Sequence, residues 1–336
     1  MNDFSGWIPM RIYWQGSRPM VDWGHLGAHR FSEPFFAQTI NRCRQHPADV
    51  LFRHQTPLED LGEIAAAQTS LRPTGFIYHM SRCGSTLISQ MLAASPENIV
   101  VSEAAPVDII LRAHFHDPAI TEELRGQWLQ WLVSVLAWRR QPVEKNMFIK
   151  FDPWHTLFLP LIQRVFPDVP WIFVYREPLE VMVSHIGQRG GQMIPGVLEP
   201  GLFGWDPPTV ERMPLNEYGA RALAKICEAA LAQIQSGNGN GNESGRGRGK
   251  LVNYRQLPDS VWPALMDHWQ VTFAAEETTR MMAAAKLNAK NPVLSFEPDS
   301  AKKNAAATTE LRTVTHHWLD GAYQKLEGQR QSQGFV

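Results

Sequence analysis

The 336 residues carry 32 basic and 33 acidic side chains, a formal net charge of -1, with 44% hydrophobic residues. That length holds one large domain or two smaller ones, and the near-neutral balance gives no electrostatic reason to expect nucleic acid as a partner. No apolar run approaches the ~20 residues that cross a bilayer, the N-terminus lacks a signal-peptide layout, and Cys43, Cys83 and Cys227 are too few and too scattered for a disulfide framework or a metal site; a soluble, cytoplasmic protein is expected.

Residues 1–70 are rich in Trp, Pro and aromatics with no sustained period. Short helices are expected over Glu33–Cys43 and Pro57–Gln68, in an N-terminal extension packed on the core. From residue 74 the pattern changes. Gly75–Met80 reads as a strand, Ser81–Thr86 as a tight loop, and Leu87, Ile88, Met91 and Leu92 as one face of a helix. Further strands are predicted at Asn98–Ser102, Met147–Phe151, Trp171–Tyr175 and Leu251–Tyr254. Helices are predicted over Thr121–Arg139 and Leu157–Phe166, from Leu179, and near Val261–His268. The alternation makes residues 71–330 an α/β domain, a P-loop-type parallel β-sheet of about five strands flanked by helices. Residues 236–250, SGNGNGNESGRGRGK, read as a flexible Gly-rich loop, and the final GQRQSQGFV as a frayed end. Ligands of such sheets bind at the carboxyl ends of the strands. Ser81, Glu103, Asp152 and Arg176 each follow a strand and so converge on that edge.

Two segments carry anion-binding chemistry. In Ser81-Arg82-Cys83-Gly84-Ser85-Thr86 a glycine lets the backbone approach an anion, the helix N-terminus adds positive potential, and Arg82, Ser85 and Thr86 add donors. The competing reading is a plain N-cap turn. It is not a Walker A loop, because Ser85 stands where the lysine belongs. In WIFVYREPLEVMVSHI an arginine, Arg176, ends a buried strand and Ser184 follows eight residues later. Together they can grip a phosphate, or Arg176 can simply pair with Glu177 or Glu180.

The run SRCGSTLISQML resembles the 5′-phosphosulfate loop of PAPS-dependent sulfotransferases, and AASPENIVVSE resembles the segment leading to the catalytic glutamate of the tyrosylprotein branch. Arg176 and Ser184 are similar to that family's 3′-phosphate pair. FIKFDP resembles its K-x-P stretch, and VNYRQL its Y-E-D-L segment with departures at Arg255 and Gln256. The resemblance covers residues 74–260. It implies sulfuryl transfer from PAPS to an acceptor hydroxyl, with PAP as product and no metal. Arg82, Cys83, Gly84, Ser85 and Thr86 are then expected at the 5′ end of the cofactor, Arg176 and Ser184 at the 3′-phosphate, and Tyr254 near the adenine.

For the base the resemblance favours Glu103, whose pKa is expected to be raised by shielding from water. Asp152 and His155 are rivals, and Lys150 is expected to stabilise developing charge or else to be a snorkelling strand lysine. Lys302 and Lys303, after Asp299-Ser300, read as a solvated helix start, with closure over the cofactor phosphate as the second reading. His114, His116, His316 and His317 lack nearby Cys or carboxylates at ligand spacing, so no metal is expected. A nucleotide kinase with a degenerate loop and a non-catalytic binding module of the same fold stay open as alternatives. The acceptor and the oligomeric state are not legible.

Overall fold

The computed structural model describes residues 4–45, 51, 53–237, 248–258, 262–295 and 300–334; most of the Gly-rich segment 236–250 lies outside the described residues. The chain opens with a hairpin, β1 (Trp7–Gln15) and β2 (Arg18–His25), followed by α1 (Phe36–Cys43), β3 (His54–Pro57) and α2 (Leu61–Ala66). Both expected helices of this region form. The three-stranded antiparallel sheet β1-β2-β3 was not expected. A register shift between Pro9 and Arg11 interrupts the pairing of β1 with β2, so the period-2 signature of a half-buried strand is broken in the sequence. Asp22, almost fully buried in β2, holds the hairpin. It accepts from Arg11 Nε (2.8 Å), Arg53 Nη2 (3.0 Å) and Gln55 Nε2 (2.5 Å). Burial pulls its carboxyl upward, but those donors outweigh it and leave the group below its usual value. Ile8, Trp23, Leu26 and Phe31 join the same apolar core as the main sheet.

The main sheet follows: β4 (Pro73–His79), α3 (Ser85–Ala94), β5 (Asn98–Ser102), α4 (Ala105–His116), α5 (Glu122–Leu136), β6 (Asn146–Lys150), α6 (Leu159–Val165), β7 (Trp171–Tyr175), α7 (Pro178–Gly187), α8 (Pro207–Arg212), α9 (Leu215–Gly237) and β8 (Gly249–Asn253). All its pairings are parallel, in the order β5-β6-β4-β7-β8. Every residue of β5 and β7 is buried, as expected for strands covered on both faces. Thr121 caps α5 by accepting from the Leu124 N–H at 3.2 Å, which starts that helix one residue later than predicted. The last strand ends at Asn253 rather than Tyr254. There the Asn253 side chain accepts from Arg255 N (2.9 Å), and Gln256 Oε1 accepts from Asn253 N (2.9 Å), turning the chain.

The remainder comprises α10 (Trp262–His268), α11 (Ala275–Ala284), the short pair β9 (Leu287–Asn288) and β10 (Asn291–Ser295), α12 (Ser300–Ala306), α13 (Thr309–Trp318) and α14 (Asp320–Ser332). The expected frayed end is corrected by α14, which runs through residues 328–332 of it. Leu326 is fully buried, and Glu327 takes bonds from the Tyr175 hydroxyl and Asn253 Nδ2. Gln333 then pairs like a short strand with β8: its Oε1 accepts from Leu251 N and its Nε2 donates to Gly249 O, each at 3.0 Å. Among the described residues no helix is long and apolar enough to cross a membrane.

In the middle of the sheet, Gly75 lets Trp269 lie against β4: a Cβ there would sit 2.4 Å from Trp269 Nε1. Gly75→Ala is therefore expected to cost about 1–3 kcal/mol through overpacking. Urea unfolding checks it, and an unchanged midpoint would mean that Trp269 yields freely.

Candidate active site

The five parallel strands deliver their C-terminal ends to one edge. From β5 comes Glu103, from β6 Lys150 and Asp152, from β4 Ser81 and the loop after it, from β7 Arg176, and from β8 Tyr254. A cavity of about 660 Å³ opens there. Of the residues expected at the site, Arg82, Cys83, Gly84, Ser85 and Thr86 line it, as do Glu103, Asp152, Arg176, Ser184 and Tyr254. Lys150 and His155 do not line it.

The loop after β4 has an uncommon backbone. Ser81 (φ 86°), Arg82 (φ 51°) and Glu103 (φ 55°) are non-glycine residues in the left-handed region, and all three stand on this edge. Gly84 (φ 91°) is the N-cap of α3, and a Cβ on it would meet the Tyr254 ring at 2.8 Å. The glycine thus satisfies both the turn and the approach of β8 to the loop. Cys83 is fully buried, donates its thiol to Val174 O at 3.0 Å, and is pushed up to about 12 by burial, so it presents no thiolate. The Arg82 guanidinium donates to Gln188 O (2.7 Å) and Gln188 Oε1 (3.0 Å).

Lys150 is fully buried. Its ammonium lies 2.9 Å from Glu103 Oε1, 3.2 Å from Thr86 Oγ1 and 4.8 Å from the centre of the Phe35 ring. It is therefore no snorkelling lysine. Sheet register explains the pair, since Ser102 of β5 stands opposite Lys150 of β6, and the Glu103 N–H donates to Lys150 O at 2.7 Å. His79, the last residue of β4, completes the cluster. The Ser81 N–H donates to its Nδ1 at 3.1 Å, which leaves the proton on Nε2, 3.0 Å from Phe151 O and 3.4 Å from Glu103 Oε1.

This cluster corrects the expected Glu103 pKa. Burial by itself raises the carboxyl, but the charge of Lys150 and the bond to His79 outweigh it and hold the group far below the usual carboxylate range. The raised carboxyl is Asp152, pushed well upward by burial first and then by the charges of Glu103 and Asp108. Two carboxyls in one cavity are thus driven apart, one ionised and one inclined to be neutral. For Asp152 a folded pKa above the unfolded one means that stability is lost as pH rises from the unfolded value of 3.8 through the folded value. Asp152→Asn escapes that loss, so its stability relative to the native chain is expected to grow from acid to neutral pH. Chemical denaturation across that range checks it; a difference that shrinks would overturn it.

His155, a rival base in the sequence, is buried and turned away from the cavity. Its Nδ1 accepts from Asp152 N (3.2 Å), and its Nε2 lies 3.0 Å from Asp108 Oδ1. Asp108 also takes bonds from Trp154 Nε1 (2.6 Å) and Arg112 Nη1 (2.8 Å). Burial raises its carboxyl, but these partners, His155 foremost, bring it down to about 2.

Arg176 is buried and donates its Nε to Glu180 Oε2 (2.6 Å) and its Nη2 to Ser300 Oγ (3.1 Å), with its guanidinium 4.0 Å above the Tyr254 ring. Ser184 Oγ donates to Glu180 O at 2.8 Å. Pairing with Glu180 and lining the cavity are therefore both true of Arg176.

His79, Phe35 and Lys290 went unread in the sequence. His79 had a signal, a histidine in an otherwise apolar strand. Phe35 and Lys290 had none, coming from a loop before α1 and from the β9–β10 turn. Lys290 lines the cavity and is pushed down to about 8 by burial and by the charges of Arg82 and Lys150. Lys303 lines the cavity, as the second of its two readings required, whereas Lys302 is exposed. Among the described residues no group of three His, Cys, Asp or Glu side chains is placed to hold a metal ion.

No protein-family model matches the sequence, and no curated protein matches it. Among solved structures the chain is similar to a sulfotransferase from Mycobacterium avium, with 15% identity over 88% of this chain and 81% of that one at a TM-score of 0.44. It is also similar to the sulfotransferase domain of the Synechococcus PCC 7002 olefin synthase, with 16% identity over 78% of this chain and 95% of that one at a TM-score of 0.42. A third is the sulfotransferase domain of the curacin biosynthetic pathway, with 16% identity over 74% of this chain and 98% of that one at a TM-score of 0.40.

Proposed function

We propose that the chain is a sulfotransferase that moves a sulfuryl group from PAPS to an acceptor hydroxyl. One observation carries the reading. The donors Arg82, Ser85 and Thr86, the pair Arg176 and Ser184, and the carboxylate Glu103 all line a single cavity at the carboxyl edge of a parallel sheet. The residues fit a nucleotide with two separated anionic ends. The loop leads into the N-terminus of α3, whose first amides have no partner within the helix and suit an oxyanion, and the cationic side chains Arg82 and Arg176 follow two different strands.

PAPS supplies an activated sulfuryl group on a phosphate leaving group. Arg82, Ser85, Thr86 and the N-terminus of α3 hold that end and stabilise charge on it. Arg176 and Ser184 hold the 3′-phosphate, with Tyr254 beside them. Glu103, ionised by Lys150, accepts the proton of the acceptor hydroxyl, and Lys150 keeps that carboxylate in place. Asp152, which lines the same cavity, is the alternative base.

Calorimetric titration with PAP, beside ATP with magnesium, tests the reading. Micromolar PAP binding supports it. Magnesium-dependent ATP binding with no response to PAP would move a kinase to first place. A Glu103→Gln chain that binds PAP normally and has lost sulfuryl transfer separates an enzyme from a binding module.

A further inference from the structure

Lys290 lines the cavity and is open to solvent, yet no step of the proposed transfer uses it. It stands in the turn between β9 and β10, where residues 287–290 all border the cavity. Two attachments hold that turn. The Asn288 side chain accepts from the Lys290 N–H at 3.0 Å, closing an Asx turn. The helix that leads into it, α11, packs on α3, the helix after the anion-binding loop, and Met281 of α11 is fully buried.

The Lys290 ammonium has an aromatic neighbour and no acid. It lies 5.9 Å from the centre of the Phe35 ring, and the Lys150 ammonium lies 4.8 Å from the same centre. Phe35 lines the cavity and is fixed by the burial of Phe36 beside it. An aromatic ring attracts an ammonium without cancelling its charge. Among the described residues no carboxylate lies within ion-pair distance of Lys290. Burial and then the like charges of Arg82 and Lys150 bring its amine down to about 8, with Glu103 opposing them and Lys303 adding to them. A cation set among other cations, with no acid of its own, is stabilised by an arriving anion. The groups that act on it include Arg82, assigned to the 5′ end of the cofactor, and Glu103, assigned to the acceptor proton, so it belongs to the reacting end of the cavity.

We propose that Lys290 is a further catalytic residue, whose ammonium bonds the 5′-phosphosulfate of PAPS beside Arg82 and meets the charge that gathers on the bridging oxygen during transfer. In that step the acceptor oxygen bonds to sulfur. The bond from sulfur to the bridging oxygen breaks, its electron pair stays on the phosphate of PAP, and the acceptor proton passes to Glu103. A cation placed at that oxygen acts where negative charge increases. The inference rests on the reading of this cavity as a PAPS site.

Calorimetric titration of the full chain with PAP, PAPS and adenosine 3′-phosphate tests it without an acceptor. PAP concentrates on its 5′-phosphate the charge that PAPS shares with the sulfate, and adenosine 3′-phosphate has no 5′ group. Lys290→Met is expected to weaken PAP by roughly tenfold or more, the worth of a hydrogen bond between charged groups, to weaken PAPS less, and to leave adenosine 3′-phosphate unchanged. The amine must be charged to bind, so native affinity for PAP is expected to fall as pH rises through about 8. Lys290→Met is expected to show no such fall. Lys290→Arg, whose charge persists, is expected to bind PAP within a few-fold of the native chain at neutral pH and to hold that affinity to about pH 10. Equal losses for PAP and adenosine 3′-phosphate, or a native affinity that stays level across this range, would overturn the proposal. Native and Lys290→Met chains that bind PAP alike would overturn it alone, whereas a native chain that does not bind PAP would sink the PAPS reading with it. Should Lys290→Met fail to fold, Lys290→Gln, which removes the charge and keeps a polar side chain, decides.

Discussion

Lys150→Met is expected to lower turnover at least ~10²-fold, to destabilise the fold by about 3–5 kcal/mol, and to move the acid limb of the pH–rate profile upward. Methionine keeps most of the apolar stem and removes the charge. It leaves the Glu103 carboxylate, with only 21% of its side chain exposed, without the cation 2.9 Å away. In the native chain burial pushes this carboxyl up, and Lys150 followed by His79 pushes it down by more. Its folded pKa is therefore below the unfolded value of 4.5. A depressed folded pKa gives a contribution to stability that is complete above the unfolded value and is lost as pH falls through the folded one. Glu103 accordingly stays ionised throughout the range in which such an enzyme is assayed. Without Lys150 the pull of burial is opposed by less positive charge, that of His79 and of the more weakly coupled Arg82 and Lys290, so the carboxyl titrates higher and the base is lost earlier on acidification. Profiles of kcat/KM for both chains measure this. An acid limb at the same pH in each would mean that Lys150 does not set the charge of Glu103.

The second large effect is expected at Arg176. Arg176→Ala is expected to weaken PAP by roughly ten- to two-hundred-fold, the worth of one hydrogen bond between charged groups. The same substitution leaves Glu180, 6% exposed, without its buried partner, so a stability loss accompanies it. Binding and folding are separated by the ligand. Adenosine 5′-phosphate lacks the 3′-phosphate, so its affinity is expected to change little while that of PAP collapses. Arg176→Lys is expected to rescue poorly, because an ammonium offers neither the planar fork nor the stacking on Tyr254 at 4.0 Å. Equal losses for both ligands would show that Arg176 acts on this cavity only through the packing of α7 and α12.

The parts of this protein legible from sequence are those encoded over a few neighbouring residues. Strands β5 and β7 were read to the residue because each is built on a short apolar run, Ile99–Val101 between two polar residues in β5 and all five residues of β7, and every residue of both is buried. That the loop after β4 lines the cavity was legible because its glycine, hydroxyls and arginine stand together between a strand and a helix, and the same holds for Glu103, Asp152 and Arg176 because each comes at the end of a predicted strand. The hairpin β1–β2 was not legible, since its register shift removes the alternation that marks a strand. The end of the last helix, residues 328–332, and Gln333 after it were taken for a loose end because Gln333 attaches to β8, more than eighty residues earlier.

What only the tertiary structure decided is the charge of each group. From sequence, Glu103 was a shielded carboxyl with a raised pKa. The order β5-β6-β4 brings Lys150 and His79 against it from two other strands, and the sign reverses. His155 lies three residues from Asp152, yet its ring is taken by Asp108 from α4. Lys290 and Phe35 reach the cavity from opposite ends of the chain. Secondary structure follows from local periodicity and backbone preference, which a short window of sequence contains. Protonation state and pairing follow from Coulomb and hydrogen-bond interactions that act over a few ångströms of space, and chain folding alone determines which residues come that close.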